Sequence, residues 1–322
     1  MATKLSIIIV NYKSWQVLRQ NLKALVSFQF PDFELEIIVV DNYSNDGKLP
    51  GFLAEFPKVV FVENSGNNGF AHGCNFGTEK STGDLLLFLN PDTLATAESI
   101  RAMEKVYQTD SEAGIVSCIQ SEKPSSYQKI LPSFWTLFGI QRSIYKMIFS
   151  KRISETNCKT CDCQAVNPEW ISGSVVMISR ENFENAGKWN TDYWMYSEDV
   201  ELSLRVRQLG KKLIMLCDFP IKHEHGGASR RNIKTAALTK TEVIISQHVY
   251  INNNFKGVEK ILSHTVMVLN NLIFKSLLAF LGLILFFLPK GRLQILLAKN
   301  LFGYYLNALF HGTWISPRAV RK

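Results

Sequence analysis

Cysteine is scarce in this chain, and what there is does not suggest a disulfide framework. Six cysteines stand among 322 residues, which is too few and too scattered for such a scaffold. Three of them crowd together in the segment CKTCDC, at Cys158, Cys161 and Cys163. That spacing could hold zinc if His223 or His225 came close in space, but reduced thiols in a surface loop are the simpler interpretation.

The N-terminus lacks the parts of a secretory signal peptide. A signal needs a basic stretch, a longer apolar stretch and a small-residue cleavage site. Here the apolar run in MATKLSIIIVNYKSW is short and leads directly into Asn11. We therefore expect this stretch to be a first β-strand and the domain that it opens to stay unexported.

Acidic residues are nearly absent from the last part of the chain. Residues 255–322 contain nine Lys or Arg and one acid, Glu259, so they carry 9 − 1 = +8, the whole net charge. A nucleic-acid-binding protein more often carries basic residues through its folded domain, so we expect no nucleic-acid partner. Basic residues on a greasy tail indicate instead a surface of anionic lipid.

The same tail lacks an uncharged run long enough for a simple membrane span. Such a helix needs about 20 apolar residues, whereas Ser276–Pro289 provides 14, and extension back to Thr265 adds two asparagines and a lysine. A second greasy segment, LQILLAKNLFGYYLNALF, follows Gly291. The pair predicts membrane-associating helices, in-plane or re-entrant by preference, with a short span plus an interfacial helix as the alternative. The basic flanks argue against a soluble hairpin.

Buried-strand and amphipathic-helix patterns alternate through the rest of the chain. Strands are predicted in KLSIIIVNY, ELEIIVVDN, KVVFVEN, DLLLFLNPD, WISGSVVMIS and KKLIMLCD, with helices between them. This alternation predicts the α/β class, with a Rossmann-like, mostly parallel central sheet and helices on both faces. We therefore divide the chain into an α/β domain at 1–254 and hydrophobic C-terminal helices at 255–322.

Polar residues stand where predicted strands end, namely Asn11, Asp41, Asn67 and Asp92. Ligands of parallel sheets bind beyond the carboxyl ends of the strands, so we expect the four to share one rim, although four unrelated turns would show the same pattern. Asp41 could accept from a nucleobase edge. Asp92 suits a hard divalent cation that bridges two phosphates.

Three further features complete the candidate site. The segment NNGFAHGCNFG spaces Gly69, Gly73 and Gly77 by four residues, which predicts close approach of the backbone to a ligand, although it matches neither a P-loop nor a dinucleotide fingerprint. Adjacent acids point in different directions, so one member of Glu198–Asp199 could face a cleft as general base, with helix capping as the alternative. The segment KHEHGG offers two imidazoles for a metal or a phosphate.

Taken in order, SIIIVNYKSW, IIVVDNYSNDG, NNGFAHGCNFG, LLLFLNPDT, the long segment from WISGSVVMIS to RVRQLG, and HEHGGAS resemble family 2 glycosyltransferases of the GT-A fold. The resemblance covers about residues 4–232 and is nearest to bacterial rhamnosyltransferase-like enzymes that build surface polysaccharides. It implies inverting transfer of rhamnose or another hexose from a dTDP- or UDP-sugar to an acceptor hydroxyl.

The resemblance also assigns roles to individual residues. It places the following at the donor: Asn11, Asp41, Asn67, Gly69, Asn75 and Asn90. It places the following at a divalent cation, Mg²⁺ or Mn²⁺: Asp92, His223 and, as the second choice of histidine, His225. It makes Asp199 the catalytic base, with Glu198 beside it.

The sequence departs from the family pattern at two points. Asn90 replaces the first acid of the metal-binding Asp-x-Asp motif, and Trp189–Asn190 replaces a common phenylalanine–aspartate pair. The hydrophobic tail fits a lipid-linked saccharide acceptor at the cytoplasmic face of the bacterial inner membrane. Two alternatives stay open: a nucleotidyltransferase, which IVNYKSWQ disfavours because it lacks a glycine-rich basic loop, and an inactive membrane-bound protein that binds sugar nucleotides. The sequence specifies neither the sugar nor the oligomeric state.

Overall fold

The computed structural model of the chain describes residues 3–120, 131–134, 137, 157–160, 163–223 and 232–320. Two compact units contain them. The first, the sheet unit, takes its residues from 1–131, 145–190 and 198–225; the second, the helical unit, takes them from 132–144, 191–197 and 226–322. The helical unit thus begins well before residue 255, where the sequence division placed the tail.

Strands and helices alternate in the sheet unit. Its strands are β1 (Thr3–Asn11), β2 (Phe33–Asp41), β3 (Val60–Glu63), β4 (Leu85–Leu89), β5 (Thr93–Leu94), β6 (Ala113–Cys118), β7 (Asn157–Thr160), β8 (Cys163–Val166), β9 (Val175–Ser179), β10 (Lys212–Leu216) and β11 (Lys222–His223). Its helices are α1 (Trp15–Leu25), α2 (Leu49–Glu55), α3 (Phe70–Glu79), α4 (Ala97–Thr109), α5 (Arg180–Asn185) and α6 (Glu198–Gln208).

Nine of these strands form one mixed sheet, in the order β3-β2-β1-β4-β9-β6-β10-β8-β7. The first four are parallel, so their carboxyl ends lie at one edge. β9 then runs antiparallel between β4 and β6, while β6 and β10 are parallel to each other. The expected parallel sheet is thus confirmed in its N-terminal half, and the other half is mixed. β6, which the sequence reading did not single out, has a fully buried AGIVSC sequence.

Helices cover both faces of this sheet, as predicted. Successive residues of a strand point to opposite faces, and β1 supplies Leu5, Ile7 and Ile9 to one buried apolar cluster but Ile8 and Val10 to another. The first cluster includes residues of α1 and α4, and the second includes residues of α3 and α6. Because both faces of the sheet are buried, consecutive apolar residues are expected in its strands, as in the run Ile7–Val10 of β1.

Two of the three regularly spaced glycines serve packing between α3 and the sheet. A Cβ atom at Gly73 would come within 2.8 Å of Val10, and one at Gly77 within 2.6 Å of Ile8. The expectation that these glycines admit a ligand is wrong for both positions, because the group that approaches them is the side-chain layer of β1. Gly69, the third, precedes α3 with a φ of +92°, which favours glycine.

The helical unit consists mainly of α7 (Ile233–Asn254), α8 (Gly257–Ile284) and α9 (Pro289–His311). Within the described ranges, α8 alone is long and apolar enough to cross a membrane, and 17% of its most apolar 18-residue window is buried. Side chains at intervals of three or four residues leave an apolar face exposed along all of α8, namely Val258, Leu262, Val266, Leu269, Ile273, Leu277, Phe280 and Ile284. We call this set the apolar face.

Polar side chains lie between the three helices. His248 of α7 is 2.9 Å from His264 of α8 (Nδ1 to Nδ1) and 3.1 Å from the hydroxyl of Tyr305 in α9. Asn271 donates to the same hydroxyl at 3.1 Å, and Trp314 stacks on both imidazoles, with ring centroids 4.6 and 4.2 Å away. Burial, together with the neighbouring His264, lowers the pKa of His248 to about 3. This neutral network fixes how the helices pack against one another.

Candidate active site

Asn11 and Asp41 meet where β1 and β2 end. They are partners in the register of the two strands, and both are buried. Asn11 donates from Nδ2 to Asp41 Oδ1 at 3.2 Å, and the backbone N–H of Ser44 donates to Asp41 Oδ2 at 3.1 Å. The sequence rule that placed both at one edge is confirmed by this geometry, and Asp41 also holds the turn that follows it.

A second polar cluster at this edge contains residues that the sequence reading missed. Asn42 donates from its amide to Asn67 Oδ1 at 3.0 Å and to the carbonyl of Gly69 at 3.2 Å. Asn64, directly after β3, donates to Asn42 Oδ1 at 3.0 Å. Asn42 and Asn64 are buried, and they support the loop that carries Asn67 and Gly69. Their signal was the same as that of Asn11, a polar residue at the end of a strand.

Asp92 and His223 are brought together by a two-stranded ladder. β5 follows Asp92 directly, and its Thr93 pairs with His223 of β11. His223 Nε2 then lies 3.2 Å from Asp92 Oδ1, with both side chains largely buried. The two residues are far apart in sequence, so this pairing depends on the chain's return to the sheet edge through β10 and β11.

The other nitrogen of His223 contacts Gln120. Nδ1 lies 2.9 Å from Oε1 of Gln120, which also accepts from Ser174 Oγ at 2.6 Å. An amide oxygen accepts, so Nδ1 is the donor in this contact, and Nε2 is the nitrogen turned toward Asp92. An imidazole nitrogen and a carboxylate oxygen are both groups that divalent metal ions take as ligands, so the donor set of this pair fits a divalent metal ion.

The number of protein ligands limits how such an ion could be held. No cluster of three or more His, Cys, Asp or Glu suited to a metal occurs within the described ranges. Mg²⁺ and Mn²⁺ tolerate one or two protein ligands when phosphate oxygens and water complete the coordination. Asp92 and His223 can therefore hold a cation together with a diphosphate. His225, the second histidine of the expected set, lies outside the described residues.

The acid pair begins α6, and its two members have different surroundings. Asp199 is partly exposed; its Oδ2 accepts from the backbone N–H of Gly173 at 2.9 Å and its Oδ1 from that of Val200 at 2.9 Å. Glu198 is buried, and burial, with Asp199 nearby, raises its pKa well above the ordinary value. Of the two, Asp199 is therefore the carboxylate that a ligand could reach, as the sequence predicts for adjacent residues.

Gly173 and Ser174 connect the acid pair with the metal-binding pair. Gly173 donates to Asp199, while the next residue, Ser174, donates to Gln120, which in turn contacts His223. The carbonyl of Ser174 also accepts from the backbone N–H of Asn90 at 3.0 Å. One short segment before β9 thus joins a candidate base to candidate metal ligands on the same edge of the sheet.

Asn75 and Asn90, which are expected to contact the sugar donor, form hydrogen bonds with other residues of the protein. Asn75 donates to the carbonyl of Trp189 at 2.8 Å and accepts from its N–H at 3.1 Å, so its amide holds the backbone of that residue. The backbone of Asn90 is fixed in the turn by bonds from Asn21 and Thr93, and its side chain is half-buried. Their roles toward a donor stay predictions.

Of the CKTCDC cysteines, Cys161 lies outside the described residues, as do the side chains of Cys158 and Cys163.

Known proteins with similar sequences are glycosyltransferases. The chain is 31% identical over 212 residues to the low-salt glycan biosynthesis hexosyltransferase Agl10 of Haloferax volcanii, a match that covers 65% of this chain and 63% of Agl10, less than two thirds of that relative. It is 25% identical over 200 residues to the rhamnosyltransferase WbbL of Escherichia coli, covering 59% of this chain and 73% of WbbL.

Solved structures show the same fold at low sequence identity. The mannosyltransferase PcManGT of Pyrobaculum calidifontis, in complex with GDP-Man and Mn²⁺, has a TM-score of 0.53 at 15% identity, over 94% of this chain and 88% of its own. GalNAc-T7 with UDP, GalNAc and Mn²⁺ has a TM-score of 0.55 at 16% identity, over 74% and 48%. The expected GT-A fold is confirmed.

The family model described as Glycosyl transferase family 2 matches residues 6–172, which is 167 of the 322 residues. The match contains most of β1 and all of β2 and β4, with the polar residues at their ends, and it ends just before Gly173. With more than half of the chain matched and the fold in agreement, the protein belongs to glycosyltransferase family 2.

Proposed function

We propose that the protein is an inverting glycosyltransferase that moves a hexose from a nucleoside diphosphate sugar to an acceptor hydroxyl. The observation that carries this proposal is the Gly173–Ser174 segment, which joins Asp199 to the Asp92–His223 pair at the edge where parallel strands end. A base and a diphosphate-binding cation site are the two parts that such a transfer needs. The names of the relatives, a hexosyltransferase and a rhamnosyltransferase, support the same reaction.

Asp199 acts as the general base of the reaction. It accepts the proton of the acceptor hydroxyl while that oxygen attacks the anomeric carbon, and the bond from that carbon to the diphosphate oxygen breaks. Attack from the side opposite the leaving group inverts the anomeric configuration. The N–H groups of Gly173 and Val200 orient the carboxylate. Burial, with Asp199 nearby, raises the pKa of Glu198, which disfavours a second negative charge beside the base.

The residues of the sheet edge bind the donor. Asn11 and Asp41 contact the nucleoside, while Asn67 and Gly69 lie on the loop that Asn42 supports. Asp92 and His223 would hold Mg²⁺ or Mn²⁺ together with the diphosphate. When it is bound, such an ion offsets the charge that develops on the departing nucleoside diphosphate.

The helical unit brings the enzyme to a membrane that holds a lipid-linked saccharide acceptor. The apolar face of α8 would bury its side chains in the bilayer, where each gains the free energy of leaving water. Lys290 and Arg292 are exposed just after the turn that ends α8, where a spanning hairpin would carry them into the far leaflet. This favours an in-plane position in one leaflet, with the basic residues at anionic head groups. For a bacterial surface polysaccharide, that side is cytoplasmic.

A donor screen tests the proposal. Purified protein is incubated with dTDP-rhamnose, UDP-galactose, UDP-glucose and GDP-mannose, with Mn²⁺ and a lipid-linked acceptor, and the anomeric configuration of the product is read by NMR. We expect one donor to be consumed and its configuration to be inverted. Retention of configuration, or consumption of none of a broad panel with nucleoside diphosphate still bound, would contradict the proposal. The second outcome would favour an inactive protein that binds sugar nucleotides.

The substitution Asp199→Asn tests the base. It keeps the size of the side chain but removes the proton acceptor, so we expect transfer to fall by roughly 10²- to 10⁴-fold while UDP binding is unchanged. Asp110→Asn, at an acid in the turn before β6, is the control and should leave transfer unchanged. Full activity of Asp199→Asn would exclude it as the base.

A further inference from the structure

The side chain of Gln120 contacts two parts of the candidate site, although the proposed function gives it no role. Gln120 follows β6 by two residues and is half-buried. Its Oε1 accepts from Ser174 Oγ at 2.6 Å and lies 2.9 Å from Nδ1 of His223. These three residues and Asp92 all belong to the sheet unit. One oxygen of an uncharged side chain therefore contacts both the segment before β9 and the histidine that faces Asp92.

The backbone beside Gln120 is tied to the backbone that leads to His223. Ile119, the preceding residue, donates from its N–H to the carbonyl of Leu216, at the end of β10, at 3.0 Å. Its own carbonyl accepts from the N–H of Ile221, two residues before His223, at 2.8 Å. Ile119 and Ile221 are buried, and hydrogen bonds are stronger in such nonpolar surroundings. The chain therefore holds the amide of Gln120 and the imidazole of His223 side by side.

The imidazole of His223 is in contact at both ring nitrogens. Nε2 lies 3.2 Å from Asp92 Oδ1, and Nδ1 donates to Gln120 Oε1. The two nitrogens point in different directions from a rigid ring, so contacts at both of them fix how the ring is turned. Histidines that bind metal ions characteristically donate their other N–H to such an acceptor, which sets the orientation of the ring. The contact with Gln120 therefore keeps Nε2 turned toward Asp92.

Ser174 holds the acceptor itself in place. Its side chain is buried, and its hydroxyl donates to the oxygen of the Gln120 amide. Its carbonyl accepts from the backbone N–H of Asn90 at 3.0 Å, so the residue is fixed to the turn that carries Asp92. The bond from Ser174 keeps the oxygen of the amide, rather than its nitrogen, toward His223.

We propose that Gln120 is a positioning residue for the cation site, which holds the imidazole of His223 with Nε2 toward Asp92. This inference rests on the proposed function, because it assumes that Asp92 and His223 bind a cation together with the diphosphate. Gln120 acts through His223 and not on the donor. The role requires an acceptor oxygen at this position. A glutamate can therefore fill it, whereas a leucine of similar size cannot.

The variant Gln120→Leu, made in the full chain, removes this acceptor. Calorimetry measures the binding of a nucleoside diphosphate with and without Mn²⁺, with whichever of UDP, dTDP and GDP the parent binds most tightly. We expect the Mn²⁺-dependent gain in affinity to fall roughly 10- to 100-fold, and binding without Mn²⁺ to be unchanged. Gln120→Glu keeps an acceptor oxygen and should retain most of the gain. The matched control is Gln164→Leu, at an exposed glutamine of β8, which should behave like the parent.

NMR of the metal-free protein gives a readout that requires neither a cation nor transfer. Long-range proton–nitrogen spectra show which nitrogen of an imidazole carries the proton, and a His223→Gln variant identifies the signals of His223. At a pH where the imidazole is neutral, we expect Nδ1 to carry the proton in the parent and in Gln120→Glu. In Gln120→Leu this preference should be lost, because the acceptor is gone. Melting temperatures identify variants that merely unfold.

Two outcomes would overturn the proposal. One is a folded Gln120→Leu protein in which the gain from Mn²⁺ and the signals of His223 are both unchanged. The other is an equal loss in Gln120→Glu, which would mean that the packing of the amide matters rather than its oxygen. If the parent binds no nucleoside diphosphate and transfers no sugar while the signals of His223 still respond to Gln120→Leu, the proposed function fails and the contact between Gln120 and His223 stands.

Discussion

The two units of this protein place their apolar and polar residues in opposite ways. In the sheet unit, Leu5, Leu87 and Phe88 are fully buried and the edge of the sheet presents amides and carboxylates. In the helical unit, Phe280 and Phe287 are 64% and 62% exposed, while polar groups such as His248 are fully buried. Exposed apolar surface of that extent marks a binding surface in a protein. The sheet unit thus buries its apolar side chains, whereas the helical unit leaves an apolar surface exposed, which supports the proposed contact with a membrane.

The largest effect that we expect is on the polar edge of the sheet unit. Asp92→Ala removes one of two cation ligands, so transfer should fall by roughly 100- to 1,000-fold and Mn²⁺ should no longer tighten UDP binding in calorimetry. Because the protein supplies two ligands, Mn²⁺ alone should bind the parent weakly. Asp84→Ala, at the other end of β4, is the control. Tight binding of Mn²⁺ by donor-free protein would contradict this account.

The next largest effect concerns the apolar face of the helical unit. Phe280→Glu replaces burial of a phenylalanine, about 1.5–3 kcal/mol, by a charge, so binding to vesicles that contain anionic lipid should weaken at least about 10-fold in a flotation assay. Val60→Glu changes a similarly exposed apolar residue of the sheet unit, and it should leave flotation unchanged. If both variants float like the parent, α8 does not contact lipid.

A pair of glycine substitutions sharpens the contrast in packing. Gly77→Ala places a methyl group 2.6 Å from Ile8 and should lower the free energy of unfolding by about 1–3 kcal/mol. Gly303→Ala, in α9, meets nothing within 4 Å and should be neutral or stabilise its helix by up to about 1 kcal/mol. Urea denaturation of both variants measures the difference. Equal changes would mean that α3 does not pack on β1 as described.

A further effect on the helical unit is expected from acid. Because the folded-state pKa of His248 is lowered to about 3 from 6.5, its contribution to stability is full above pH 6.5 and is lost progressively as the pH falls toward 3. His248→Asn should therefore make the melting temperature less dependent on pH between 6.5 and 4. His311→Asn, at an exposed histidine, should leave that dependence unchanged. A parent protein with no loss of stability over this range would contradict the prediction.

Local patterns predicted the elements that carry the site but not its connections. β1, β2, β4 and α6 follow from runs of apolar residues and from caps, which depend only on neighbours in sequence. Gln120 and Ser174 were missed because nothing around them marks a function; they matter through contacts with residues that are distant in the chain. The glycines of α3 were misread at Gly73 and Gly77, since a glycine signals close approach but does not say what approaches.

The sequence by itself determined the class of the fold, the edge at which Asn11, Asp41 and Asp92 stand, the family and the apolar character of the tail. These depend on periodicity, composition and motif order, which are local properties. Only the tertiary structure decided that His223 faces Asp92, that Asp199 is reachable while Glu198 is buried, and that the segment before them belongs to the helical unit. Those facts depend on which distant segments share a space, and that is set by the packing of the whole chain.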